Sequence, residues 1–196
     1  FYVRPGGDDG LDRRTEKAAL ATPQKAVDAA QPGDIILLME GTWPAGRSSV
    51  SFRRGGTPAA WITLKNYPGH QLLLLNESWN CIGIGNGSRA SPSTGPAVAY
   101  IEVRGLHIRG NADVADRKYP EALNKPDGRT NGNGIGVEGR YERNAPHHLR
   151  FAGNLVEYNS GAGISCLESD WVAIENNVSR NNCWWMIYAG SGISIL

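Results

Sequence analysis

The sequence predicts an all-β protein, a right-handed parallel β-helix (a solenoid) with a short N-terminal capping helix. Three observations carry that expectation. From Asp34 onward the chain is a succession of short apolar or alternating runs bounded by Gly, Asn or Pro: DIILLME, WITLKNY, QLLLLN, CIGIGN, AYIEVRGLHIRGN, NGIGVEG, HLRFAGNLVEYN, AGISCLE, WVAIENNVSRNN and SGISIL. Runs of this length between such turn residues are strands. The pattern also repeats, because Leu149, Phe151, Leu155 and Asn159 are answered at a constant offset of 23 residues by Val172, Ile174, Val178 and Asn182, and Ile101, Val103 and Asn111 align with both. Finally, each block is followed, after a gap of changing length, by Gly-Ile: Gly134-Ile135, Gly163-Ile164 and Gly192-Ile193. Short strands in a unit of about 22–25 residues, interrupted by variable loops, describe a stacked coil, since one turn cannot bury its own apolar face. The hand follows from the strong right-handed preference of parallel crossovers.

The elements follow in order. YVRPGGDDG reads as a short strand running into a Gly/Asp turn. ATPQKAVDAAQPGD carries the signals of one helix: Thr22 as cap, Pro23 in the first turn, Val27 and Ala30 on one face, and Pro32-Gly33 as the stop. Everything after it is rungs. The asparagines that recur at Asn111, Asn159 and Asn182, with Asn154 and Asn177 as a second pair, fit ladders better than ligands. An Asn tolerates the left-handed conformation of a tight corner, and its amide can bond both its own rung and the Asn above.

At 196 residues the chain is one domain's worth. A net charge of +1 with both signs interspersed gives no reason to expect nucleic acid or an anionic membrane as partner. No apolar run approaches the roughly 20 residues that span a bilayer. A start at Phe1 suits a mature chain whose signal peptide has been removed, so a secreted protein, extracellular or periplasmic, is expected. Cys81, Cys166 and Cys183 form no Cys-x-x-Cys or Cys/His cluster and read as small buried hydrophobes. The last rung stops at SGISIL without a turn, helix or polar cap. That leads to the expectation that residues 1–196 are the N-terminal part of a longer coil, or that the uncapped end associates with another chain.

The opening, FYVRPGGDDG followed by ATPQKAVDAAQPGDIILLMEGTW, resembles that of secreted parallel β-helix proteins of the pectate-lyase-like (pectin lyase-like) superfamily. There a strand, a capping helix and a PGD-x-I-x-L-x-x-G-x-[YW] segment begin the coil. YIEVRGLHIRGN and WVAIENNVSRNN are similar to that superfamily's rungs. The resemblance implies a fold and a carbohydrate ligand. It implies no single reaction, because the superfamily holds polysaccharide lyases, polygalacturonase-type hydrolases, epimerases and non-catalytic modules. No stretch matches a lyase family's calcium-ligand or base motif, so no catalytic residue is carried over.

Candidate site residues therefore come from the loops. Insertions at one corner of a coil stack into the walls of a groove. The longest is ADVADRKYPEALNKPDGRTNGN, and an aromatic one is CWWMIYAGS. A lyase acting on an acidic polysaccharide needs positive charge, commonly Ca²⁺, to stabilise the enolate-like transition state, and a Lys or Arg to take the proton. Asp113, Asp116, Glu121 and Asp127 are the candidate calcium ligands, and Lys118, Lys125 and Arg117 the candidate bases. Trp184, Trp185, Tyr188, Tyr119, Arg129 and His147 are the candidate substrate-binding residues. The hydrolase alternative needs two carboxylates about 5–10 Å apart, for which Glu138, Glu168 and Asp170 are available. His147 and His148 precede a strand and read as a polar turn or as part of a sugar site. A stiff, non-catalytic carbohydrate-binding rod is the third class.

Overall fold

The computed structural model describes residues 1–113, 127–184, 186–188 and 190–196. Strand β1 (Tyr2–Val3) leads to helix α1 (Pro23–Ala29), and the first coil is β2 (Ile35–Leu38), β3 (Gly41–Trp43) and β4 (Val50–Phe52). The second is β5 (Ile62–Asn66), β6 (Leu72–Leu75) and β7 (Asn80–Ile84). In the third, β8 (Ala99–Arg104) and β9 (His107–Arg109) are followed by the short helix α2 (Gly128–Asn131) and by β10 (Asn133–Glu138). The fourth is β11 (His147–Ala152), β12 (Leu155–Glu157) and β13 (Ile164–Leu167), and the fifth β14 (Asp170–Glu175), β15 (Val178–Arg180) and β16 (Ile193–Ile195). All these pairings are parallel and join like to like. The first sheet runs β1-β2-β5-β8-β11-β14, the second β3-β6-β9-β12-β15, and the third β4-β7-β10-β13-β16. This is a right-handed parallel β-helix.

The rows that the sequence aligned are rows in space. Ile62, Ile101, Leu149 and Val172 lie in register in the first sheet, with Leu64, Val103, Phe151 and Ile174 two positions on. The Gly-Ile motif forms a third row, Ile82, Ile135, Ile164 and Ile193. Alternation puts every second residue inside, and the coil interior is thereby filled with Ile, Leu, Val and Phe. Cys81 and Cys166 belong to that core; burial pushes both thiols up to about 12, so neither is a ready nucleophile. Cys183 is half-buried.

The corner between the first and second sheets is the left-handed residue Gly105, Gly153 or Asn176, with φ of 67°, 63° and 54°. Gly and Asn adopt this conformation at least cost, and it is Asn176, not the recurrent Asn154 or Asn177, that takes it. Beside it, Asn154 and Asn177 form the expected ladder, Asn154 donating from both its backbone N and its Nδ2 to Asn177 Oδ1 at 2.9 Å.

At the next corner Asn159 pairs with Asn182 as expected, through its N and Nδ2 at 2.8 and 3.1 Å. On its other side, however, the donor to Asn159 Oδ1 is Asn76 Nδ2 at 3.0 Å, two rungs away, rather than the aligned Asn111. Gly110, on the rung between them, is packed against the backbone there: a Cβ would stand 2.4 Å from Tyr158 O and 2.6 Å from Asn159 Cα. The capping helix also differs in one detail. Thr22 holds the cap position, but its hydroxyl donates to Asp9 Oδ2 at 2.8 Å and makes no bond to the helix. Asp9 thus ties the entry of the helix to the preceding turn.

Candidate functional site

The first sheet carries one feature on its outer edge that recurs rung by rung. Trp61, Tyr100, His148 and Trp171 occupy the position just before the inward row Ile62, Ile101, Leu149 and Val172. Tyr100, His148 and Trp171 all have left-handed backbones, with φ of 57°, 52° and 53°. Each such residue costs roughly 1–2 kcal/mol when it has a bulky side chain. The same conformation on three successive coils is offset by what it arranges. Tyr100 and His148 stack at 4.7 Å and 30°, His148 and Trp171 at 5.6 Å and 20°, and Trp61 meets Tyr100 edge-on at 5.8 Å. The kink also keeps two successive side chains, His147 and His148, out of the core, where strict alternation would bury one. His147 stands edge-on to Tyr100 at 5.5 Å.

Charge lies beside this column. The Arg150 guanidinium sits 5.6 Å from the Trp61 ring centre and 3.8 Å from Glu102 Oε1, and Arg104 pairs with the same carboxylate at 2.9 Å. Two exposed guanidiniums share one mostly buried carboxylate, leaving cationic capacity over the rings. Burial lowers the His147 pKa below the ordinary imidazole value, the neighbouring His148 lowers it further, and Asp170 opposes both.

The other expected site residues fall elsewhere. Asp127 caps α2, its Oδ1 accepting from Arg129 N at 2.8 Å and Thr130 N at 3.2 Å while Oδ2 takes Arg129 Nη2 at 3.0 Å. Arg129 is thereby its ion-pair partner. Asp113 chelates Arg109, with Oδ2 2.5 Å from Nη2. These two carboxylates hold arginines and helix amides. Among the described residues, no group of three or more His, Cys, Asp or Glu is placed to hold a metal. Asp116, Glu121, Arg117, Lys118, Lys125, Tyr119 and Trp185 lie outside the described residues. Trp184 and Tyr188 are about half-exposed. Of the hydrolase candidates, Glu138 is taken by Arg140 at 2.6 Å, while Asp170 stands in register with His147. Of the predicted binding residues that are described, only His147 stands beside the column. Trp61, Tyr100, Trp171 and Arg150 are not among the residues expected from the sequence, although an aromatic residue stands directly before each aligned Ile101, Leu149 and Val172.

A second polar cluster lies on the next sheet. Glu157, whose side chain is only 7% exposed, takes His107 Nε2 at 2.9 Å and Arg180 Nε at 2.7 Å. Burial pushes its carboxyl upward, but the hydrogen bonds from His107 and Arg180 outweigh that and hold it below the ordinary glutamate value. A carboxyl depressed in the fold contributes stability above its unfolded pKa, and that contribution is lost as pH falls through the lower folded one. Urea unfolding from pH 7 downward is therefore expected to show stability falling below about pH 4.5. The fall should be shallower in Glu157→Gln; equal slopes for the two proteins would remove the cluster from the acid response.

No helix among the described residues is long and apolar enough to cross a membrane. No family model and no curated protein matches the sequence. Among solved structures the chain is similar to pectate lyase Pel9A, with 20% identity and a TM-score of 0.47 over 99% of this chain and 58% of that one. It is also similar to a rhamnogalacturonan lyase, with 12% identity and a TM-score of 0.39 over 97% of this chain and 60% of that one. The chain thus spans about 60% of the length of these two proteins, and the fold it shows is the parallel β-helix that its rungs spell out.

Proposed function

We propose that this chain acts on an acidic, uronate-containing polysaccharide laid along the outer edge of the first sheet, and that it cleaves the polymer by β-elimination. The observation that carries the reading is the in-register column Trp61, Tyr100, His148 and Trp171 beside Arg150 and Arg104. Neighbouring rungs are about 4.8 Å apart, so four of them offer a track on the order of 14 Å, the reach of a few sugar residues. Stacking turns the faces of Tyr100 and His148 toward each other, leaving ring edges and the outer Trp171 face for a sugar. A uronate carboxylate beside Arg150 would gain a bidentate cationic partner, which acidifies the proton on the adjoining carbon. Such a polymer lies outside the cell, in accord with the secretion expected from the sequence.

The test is incubation with polygalacturonate, alginate and chondroitin, each with calcium and with chelator. Ultraviolet absorbance of an unsaturated uronate marks the lyase. New reducing ends without absorbance mark the hydrolase, and binding without either marks the rod. Loss of cleavage in chelator would mark a calcium-dependent reaction. Trp171 is 76% exposed, so Trp171→Ala is expected to weaken polygalacturonate binding by about 2–12-fold while changing stability by no more than about 0.5 kcal/mol. Unchanged binding, read by titration calorimetry, would take the outer face of the column out of the site.

A further inference from the structure

His147 Nδ1 and His148 Nδ1 lie 2.7 Å apart. At that distance one nitrogen must carry a proton and donate it while the other accepts, because two bare lone pairs or two N–H groups would repel. When both rings are neutral, the contact therefore fixes opposite tautomers. The ring that donates through Nδ1 has a bare Nε2, and the ring that accepts has its proton on Nε2. One dipeptide thus presents a proton acceptor and a proton donor side by side, already joined by a hydrogen bond through which a proton can cross. Neither Nε2 has a hydrogen-bond partner among the described residues. The geometry is held from both sides: His148 is stacked between Tyr100 and Trp171, and His147 stands edge-on to Tyr100 and to His148.

We propose that the His147–His148 pair is a proton relay, taking the proton from the carbon beside a uronate carboxylate and delivering one to the glycosidic oxygen that leaves. The proposal rests on the lyase reading above and deepens it by naming the groups that move protons. The bare Nε2 removes the proton, and the carbon–hydrogen electron pair becomes the new carbon–carbon double bond as the neighbouring carbon–oxygen bond breaks. The departing oxygen takes the proton from the other ring's Nε2. The Nδ1 proton crosses between the rings, so both finish neutral with their tautomers exchanged. No water, oxidant or reductant is consumed, and the products are an unsaturated uronate and a chain ending in a hydroxyl. Arg150, two residues beyond His148 on the same strand, is the neutralising cation. Tyr100 from β8 packs against both rings and Asp170 from β14 acts on His147, while the Arg150–Glu102 pair lies two residues further along β11 and β8. Burial, and after it the neighbouring His148, lower the His147 pKa against the pull of Asp170, which favours the neutral ring that the relay needs.

The experiment uses the full chain with polygalacturonate, alginate and chondroitin, and follows unsaturated product. His147→Gln and His148→Gln are each expected to lower kcat by about 100-fold or more, the range of general acid–base catalysis, with KM within about threefold. In the unaltered protein kcat/KM should rise with pH through the imidazole range and then level, since acid protonates the bare Nε2. Nitrogen-15 spectra of the imidazoles at pH 8 should show one Nδ1–H and one Nε2–H tautomer, a readout that does not depend on turnover. Two Nε2–H tautomers would overturn the relay. So would variants that cleave within about threefold of the unaltered chain, or that lose binding and cleavage together, while the lyase reading stood. An unaltered chain that yields no unsaturated product from any of the three polymers overturns that reading and the relay with it.

Discussion

Phe151→Ala is expected to lower the unfolding free energy by about 3–5 kcal/mol, the usual range for deleting a fully buried aromatic ring. Phe151 has no exposed surface and fills the middle of the coil, in register with Val103 on one side and Ile174 on the other. The rungs pin its neighbours through parallel hydrogen bonds, so the cavity cannot collapse without breaking the ladder. The loss should not spread evenly. In a stacked coil each turn is stabilised by its neighbours, and the fifth coil depends on the fourth for most of its burial. Hydrogen exchange is therefore expected to quicken first in β14, β15 and β16, whose residues are already half-covered or exposed, and last in β2 and β5. A loss below about 1 kcal/mol, or exchange that quickens equally in every coil, would show that the interior relaxes freely around position 151.

Asn159→Leu is expected to cost about 3 kcal/mol and to lower Tm by roughly 6–12 °C, without a selective effect on polysaccharide binding. Three bonds carry the figure. Asn159 Oδ1 accepts from Asn76 Nδ2, and its own Nδ2 donates to Glu157 O at 3.1 Å and to Asn182 Oδ1 at 3.1 Å. Each contributes a net of about 1 kcal/mol, and a leucine of similar volume satisfies none of them. Gly134 and Gly163 crowd the same corner, where Cβ atoms would stand 3.1 Å from Asn159 Nδ2 and 2.8 Å from Asn182 Nδ2, so a branched side chain finds little room to turn away. Thermal unfolding followed by circular dichroism measures the cost, and calorimetry with polygalacturonate measures binding. Weakened binding at unchanged Tm would make the ladder a ligand site after all.

The candidate site was less legible than the fold. The charge of residues 112–133 points to a loop wall, where Asp127 accepts from α2 and Arg129 and Asp113 pairs with Arg109. A carboxylate's sequence neighbours reveal that it is available, not what will claim it. The column was hidden for a different reason. Matching apolar positions across rungs selects inward residues, and Tyr100, His148 and Trp171 stand one place before them, in a left-handed conformation that aromatic side chains ordinarily avoid.

The sequence by itself determined the coil: its strands, the rows of Ile, Leu, Val and Phe inside it and the paired asparagines, because each follows from local propensity repeated at a fixed interval. Only the tertiary structure decided which Asn meets Asn159, that Asp127 is a cap, and that His147 and His148 share one hydrogen bond between stacked rings. Those are contacts between rungs or between side chains held by rungs. Their geometry exists only once residues far apart in the chain have been brought to the rung spacing of about 4.8 Å.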